Sequence, residues 1–368
     1  MIRISRFQLF SMLILFQLGT TILFGFASGA GRDAWIASLL SALLGAAIIA
    51  GYLALFRMTG GLTLVEWFPA LFGRWPGTIA AWLYPLLFLY DAGRIVADIR
   101  FLFPITILSG TPDWVIAGSF LIVVVYGLYA GVEVVGRVAG VLFPVVMVFF
   151  FLEIVLLVAS GSLDAHHLSP VMAEGWGRVW NTVWPLGITQ TFGESISFAM
   201  IWTYIARKNG LAGTTLAATL AAGAIIALTD VLGINGLGEG VFRQMTLPSL
   251  ALLKLPSLAD FLENLDALGV IYLVVNAFMK LSLHLLSVVL CVRRLTGAKS
   301  DRWIIPAAAA AAFFMGMTMA DSFTDHLEAG FRNLPLQIWV PLFLVLPAAA
   351  LAVAGIRKLG NAKGENPS

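Results

Sequence analysis

The sequence predicts an all-α integral membrane protein with ten transmembrane helices, arranged as two inverted five-helix repeats whose first helices are broken. Three observations carry this expectation: an apolar and charge-poor composition, ten apolar runs of spanning length, and a regular alternation of charge between the segments that join them. Of the 368 residues, 60% are hydrophobic and 11% charged, against about 25% charged in a soluble domain. A water-soluble core of this size has nowhere to hide that much apolar surface, so lipid must solvate most of the chain. Backbone polar groups in hydrocarbon must be paired within helices or closed barrels. The apolar runs are continuous and do not alternate, which selects helices. A net charge of +2 gives no basis for a nucleic-acid partner.

The expected spans are 7–28, 34–57, 77–101, 113–131, 138–160, 183–205, 211–235, 269–292, 303–321 and 335–356. One set of joining segments collects fourteen basic residues (Arg3, Arg6, Arg57, Arg74, Arg137, Arg207, Lys208, Arg293, Arg294, Lys299, Arg302, Arg357, Lys358, Lys363) against four acids (Glu66, Glu133, Asp301, Glu365). The other set carries Arg32, Arg178, Arg243, Lys254 and Arg332 against eleven acids, Asp164, Glu174, Asp260, Glu263 and Asp266 among them. The positive-inside rule then puts both termini in the cytoplasm. The first apolar run is long and lacks a small-residue cleavage site, so it reads as a span and not as a removed signal. Residues 1–368 read as one transporter-like domain. Because five is odd, the second group of five (about 183–356) enters the membrane in the opposite sense to the first (about 7–160), as in inverted-repeat transporters. The outer loop 236–268 contains an apolar–acidic stretch, Leu258–Leu268, that reads as a surface helix, a lid or a plain connector.

In inverted-repeat folds the first helix of each half is interrupted where the substrate binds. The first span carries Gly19, Thr20, Thr21 and Gly25 near its middle, and the sixth carries Pro185, Gly187, Gln190, Thr191, Phe192, Gly193 and Glu194. Glycine and proline weaken a helix, and hydroxyl and amide side chains satisfy the freed backbone. Small residues also serve close helix packing, but packing needs no carboxylate. A mid-membrane Glu194 costs several kcal/mol unless paired, solvated or protonated. Lys280 in the eighth span is the expected partner, with Asn276 and His284 four residues to either side on the same face. The third span puts Tyr84, Asp91, Arg94 and Asp98 on one stripe, with Tyr90 beside Asp91. The candidate ligand-binding set is therefore Gly19, Thr20, Thr21, Gly25, Tyr90, Asp91, Arg94, Gln190, Thr191, Phe192, Gly193, Glu194, Asn276 and Lys280. The alternative is an ion-pair network that only holds helices together.

Glu153 in the fifth span is expected either to carry a proton or to pair with a base from another helix. Asp230 lies near the outer end of the seventh span and is expected to reach water. His284, His166 and His167 lack a second ligand at metal spacing. The tryptophans, Trp35, Trp75, Trp114, Trp184 and Trp339 among them, read as interfacial anchors. Phosphate loops, zinc pairs and Ser-His-Asp signatures are absent, and the single Cys291 excludes an intrachain disulfide. Neither an enzyme nor a cofactor is expected, and no metal.

The opening "ISRFQLFSMLILFQLGTTILF…AGRDAWIASLL", with Gly31, Asp33, Ala34 and Trp35, resembles the B subunits of spore germinant receptors (GerAB-like spore germination proteins). So do Phe192-Gly193-Glu194 and "FLENLDALGVIYLVVNAFMK", and the likeness covers essentially the whole chain. One departure is Asn264, where the resemblance leads to a basic residue after Phe-Leu-Glu. The resemblance implies the amino acid–polyamine–organocation superfamily and its LeuT-like fold. It also implies the inner membrane of a spore-forming bacterium, a membrane A subunit and a lipoprotein C subunit as partners, and a small-molecule germinant such as an amino acid or sugar. The alternative function is a proton-coupled amino acid transporter.

Overall fold

The computed structural model describes residues 4–19, 21–106, 108, 110–206, 208–255 and 266–364. Among these the backbone is helical almost throughout, with one isolated bridge between Ile4 and Ile205.

Among the described residues, eight helices are long and apolar enough to cross a bilayer: Arg6–Phe24, Phe26–Met58, Arg74–Thr106, Asp113–Ala130, Val132–Ala159, Leu211–Gln244, Leu268–Thr296 and Pro335–Lys358. The two remaining expected positions are filled differently. The ninth, Ile304–Thr318, has 15 residues and so spans only about 22 Å. The sixth is not one helix: Trp176–Thr182 is α-helical, Val183–Gly187 is a π turn, and Gly193–Met200 and Trp202–Tyr204 are 3₁₀ turns. Tight and wide turns of this kind mark functional interruptions.

The first span shows how sequence sets these limits. Its start is a capping box: the Gln8 N–H donates to Ser5 Oγ (3.1 Å) and the Ser5 N–H donates to Gln8 Oε1 (2.8 Å), an arrangement worth about 1 kcal/mol. Its α-helix stops at Leu18 because Gly19 adopts φ +41°, and after Thr21–Phe24 a second positive-φ residue, Gly25, turns the chain into the 3₁₀ segment Phe26–Asp33. The expected breaks at the first and sixth positions are thus both present.

Several boundaries differ from expectation. The third span is longer than 77–101, since Pro85 and Pro104 sit within the helix without ending it. The seventh span continues to Gln244 through a kink at Gly238, and Pro248–Leu252 is helical, so the expected loop 236–268 is partly structured. Most of the expected surface element Leu258–Leu268 lies outside the described residues, as does Thr20. Leu64–Phe72, expected as a loop, is a helix capped by Thr63 and Glu66. Phe323–Asn333 is helical and bends by 114° from Ile304–Thr318, so the tenth span has an extension preceding Pro335.

Spans two and seven pack along each other, span three packs on eight and nine, and span one lies against five, seven and eight. The spans are also joined by buried polar contacts. Gln17 of span one donates to Ser195 Oγ (2.9 Å) and Thr219 Oγ1 (3.1 Å). The Ser38 hydroxyl of span two donates to Asp230 of span seven (2.5 Å). Asp230 is therefore buried and does not reach water as expected: the helix runs past it by four turns, which carries it away from the interface.

The two faces of the bundle are closed by ion pairs. On the face that carries the chain ends, Glu66 meets Arg294, Arg293 meets Asp301 (2.9 Å), and Arg357 donates to the carbonyls of Ala70 and Leu71. Burial acts to raise the Glu66 carboxyl, but the Arg294 guanidinium and the Thr63 hydroxyl and N–H outweigh it and hold Glu66 below its ordinary range. On the opposite face Glu239 joins Arg32 (2.6 Å) to Arg178 (3.0 Å), and so ties the 3₁₀ segment Phe26–Asp33 to the Trp176–Thr182 helix.

Candidate functional site

The site is built where the two interrupted helices meet span eight. A Cβ on Gly19 would stand 2.7 Å from Lys280 Cδ, and Lys280 Nζ lies 2.8 Å from Glu194 Oε2. One lysine thus touches both breaks, which puts them at the same depth. Only glycine fits at residue 19, both for its positive φ and for this close approach. His284, one turn beyond Lys280, brings Nε2 to 3.6 Å from the same Glu194 oxygen.

Span three supplies the second carboxylate. Asp91 Oδ1 accepts from the Trp339 indole N–H (3.3 Å), and the Arg94 guanidinium lies over the Trp339 ring, 5.9 Å from its centre. Arg94 also donates to the His326 carbonyl (3.4 Å), and His326 Nε2 lies 2.8 Å from Asp98 Oδ1. Ligand-type atoms of Asp91, Glu194 and His284 all lie within 4.8 Å of one another. The Lys280 ammonium is bound to the Glu194 member of that group, so a positive charge from the chain itself already adjoins it. With all four groups ionised, Asp91 and Glu194 balance Arg94 and Lys280, as a buried polar cluster requires.

These side chains, with Phe24, Ile95, Asp98, Gln190, Leu327 and Phe331, line a cavity of about 20 Å³, room for about one water. Of the lining atoms, Asp91 Oδ2 and Gln190 Oε1 are buried without hydrogen-bond partners; so are Thr21 Oγ1, Thr191 Oγ1 and both Asn276 heteroatoms, on the two interrupted helices and span eight. Each such group costs about 1–3 kcal/mol, so the closed site holds a surplus of polar atoms. A larger cavity of about 390 Å³ opens on the chain-end face, lined by Thr63, Glu66, Met200, Thr203, Tyr204, Leu290, Arg293 and Arg294 among others.

Of the candidate set, Asp91, Arg94, Gln190, Glu194 and Lys280 form the cavity wall. Gly19 and Gly193 sit behind it, Gly193 against Phe343. Thr21, Thr191 and Asn276 are buried but do not line it. Gly25 instead packs against Pro248, and Phe192 is directed between Gly45 of span two and Gly223 of span seven. Tyr90 is half-buried and off the wall. Trp339 is a correction. It is 1% exposed and bonded to Asp91, not an interfacial anchor, because helix precedes Pro335 from Phe323 and carries residue 339 to mid-depth. His326, Leu327 and Phe331 lie in that extension, outside the expected spans; their signal in the sequence is the polar–aromatic stretch Phe323–Phe331. Of the two expectations for Glu153, pairing with a base is not met among the described residues: it accepts from the Tyr272 hydroxyl (2.9 Å).

Residues 3–324 match the spore permease family, described as spore germination protein. The chain is 29% identical over 356 residues to spore germination protein KB of Bacillus subtilis (strain 168), covering 97% of this chain and 95% of that one. It is 25% identical over 259 residues to spore germination protein XB of Bacillus anthracis, covering 69% and 70%. Among solved structures it resembles Mhp1, a nucleobase–cation–symport-1 family transporter, in a closed conformation with bromovinylhydantoin bound. The TM-score is 0.65 at 14% identity, over 96% of this chain and 77% of that one. At that identity the likeness establishes a shared transporter fold. From its first helix to the tenth-span extension, this chain is a multi-pass membrane protein belonging to the spore permease family of spore germination proteins.

Proposed function

We propose that the chain is the germinant-sensing membrane subunit of a spore germination receptor, and that a small polar molecule binds between the broken helices at the Glu194–Lys280 pair. The observation that carries this reading is that pair itself, buried between two helix interruptions and surrounded by unpartnered polar atoms. An ion pair that only held helices together would have its neighbouring donors and acceptors satisfied.

About one water's worth of space does not admit a germinant, so binding requires the cavity to open. Toward the face opposite the chain ends Phe24, Leu327 and Phe331 close the wall. It is thick toward the chain ends. There the 3₁₀ turns from Glu194 to Met200 run about 12 Å through fully buried residues before the larger cavity begins. With the chain ends in the cytoplasm, as the charge asymmetry implies, ligand enters from outside. An amino acid would place its ammonium on Asp91 Oδ2 and its carboxylate near the start of Gly193–Met200, where helix-end N–H groups favour negative charge. Lys280 supplies a fixed cation, so a bound sodium ion is not required. Ligand contacting both broken helices favours the closed state, and a membrane A subunit and a lipoprotein C subunit in the inner membrane of a spore-former would read that closure. The two halves, about 7–160 and 183–356, serve as the inverted repeats that rock about this site.

The second reading, a proton-coupled amino acid transporter, draws on the transporter fold and on the cavity at the chain-end face. Purified protein in liposomes separates the two: binding without net uptake supports the receptor, and uptake driven by a proton gradient supports the transporter.

A further inference from the structure

Glu153 stands apart from the ligand cluster and is unused by it. It lies in span five, 3% exposed, and its carboxylate accepts from the hydroxyl of Tyr272, itself 2% exposed, in span eight. Among the described residues it takes part in no ion pair. Span one, packed on span five, carries Arg6 at the far end; Arg32 and Asp33, in the 3₁₀ segment that leads into span two, are held by Glu239 and by the Met172 N–H. Span four carries Asp113, bound to Arg100, and the exposed Tyr126 and Tyr129. Span eight carries Lys280 and His284, both turned to Glu194, then Cys291, and Arg293 and Arg294 at its far end; the Asp266 side chain lies outside the described set. Asp230 of span seven is held by Ser38, and Lys254, beyond the Pro248–Leu252 helix, is exposed. Segment 256–265, outside the described residues, contains Asp260 and Glu263 in its sequence but no Lys, Arg or His. A lone carboxylate at this depth, with one neutral hydroxyl for company, is strongly disfavoured in its charged form.

Tyr272 also begins a line. Asn276 and Lys280 follow it at four-residue intervals on one helix face, and Asn276 is fully buried with both amide heteroatoms unpartnered. We propose that Glu153 is a proton-binding site of the closed arrangement, and that Tyr272, Asn276 and Lys280 link its protonation to the ligand cluster. The first half stands without the ligand reading; the link rests on it. Tyr272 and Lys280 are about 12 Å apart along the helix. At an effective dielectric of about 20, a unit charge at that distance alters proton affinity about tenfold.

Infrared difference spectra of the purified full chain in liposomes, taken through a pH titration, test both halves. Subtracting Glu153→Gln from wild type isolates this carboxyl from Asp91 and Asp230. The expected result is a carboxylic-acid C=O band at neutral pH, shifted to higher frequency in Tyr272→Phe, which keeps Glu153 in place and so guards against a misfolded Gln variant. Carboxylate bands alone at neutral pH, with Tyr272→Phe silent, overturn the proton site. For the link, Glu194→Gln leaves Lys280 uncompensated. Comparing it with Glu194→Gln/Glu153→Gln, the band should vanish at a pH about one unit lower than in wild type, a tenfold weaker hold on the proton. An unchanged midpoint overturns the link. Neither readout uses a germinant, so failure of the ligand site in a separate binding screen is distinguishable from failure here.

Discussion

Lys280 Nζ and Glu194 Oε2 lie 2.8 Å apart with both side chains at most 5% exposed, and the same lysine presses its stem against Gly19. One residue of span eight therefore senses both helix interruptions, and any ligand that separates it from Glu194 must also change its fit against span one.

Removing one partner of a buried pair leaves an unpaired charge and costs about 3–5 kcal/mol, whereas removing both is far milder. Lys280→Met and Glu194→Gln should each lower the thermal midpoint of the detergent-solubilised protein more than the double variant does. A double variant as unstable as the worse single one would show that the two residues act independently.

Gly19→Ala introduces a Cβ at φ +41°, 2.7 Å from Lys280 Cδ and 2.9 Å from the Phe16 carbonyl. At ψ −141° this positive-φ backbone is one that non-glycine residues enter only at a cost of about 1–3 kcal/mol, and the displaced lysine adds to it. Ligand response should fall sharply. Gly213→Ala has open space around it and should leave the response intact; equal loss in both would point to general destabilisation.

The His326–Asp98 contact and Phe331 hold the tenth-span extension over the site. In a Cys291→Ser background, a Gln190→Cys thiol should react slowly with a water-soluble reagent. Adding His326→Ala or Phe331→Ala should speed labelling about tenfold, equivalent to about 1.4 kcal/mol in the opening equilibrium. Unchanged labelling would mean that access runs elsewhere.

Glu66 is held below its ordinary range by Arg294 and Thr63 despite partial burial. A carboxyl depressed in the folded state contributes stability that is present above its unfolded value of about 4.3 and is lost as pH falls through the lower folded value. Acidification through this window should destabilise wild type more than Glu66→Gln. A difference that appears only at alkaline pH would contradict the pairing.

The positions of the spans and both interruptions were legible because hydrocarbon imposes length and composition, and because glycine, proline and threonine cluster where the helices stop. The Glu194–Lys280 pairing followed from placing spans six and eight side by side. Phe192 was not legible: it lies just before 3₁₀ turns, where the 3.6-residue period no longer fixes which way a side chain points. Trp339 was missed because reading the tenth span from Pro335 put it near an end, whereas the helical extension from Phe323 puts it mid-depth. The Leu64–Phe72 helix did have a signal, Thr63 followed three residues later by Glu66, in a stretch too short to read as a span.

The most direct test is ligand-dependent thermal stability of the purified protein against amino acids, sugars and nucleosides, run in parallel with Glu194→Ala. A compound that binds the folded state raises its midpoint by mass action. At least one compound should raise the midpoint of wild type and leave Glu194→Ala unmoved. An equal rise in both proteins, or none in wild type across all three classes, would contradict a ligand site at the Glu194–Lys280 pair.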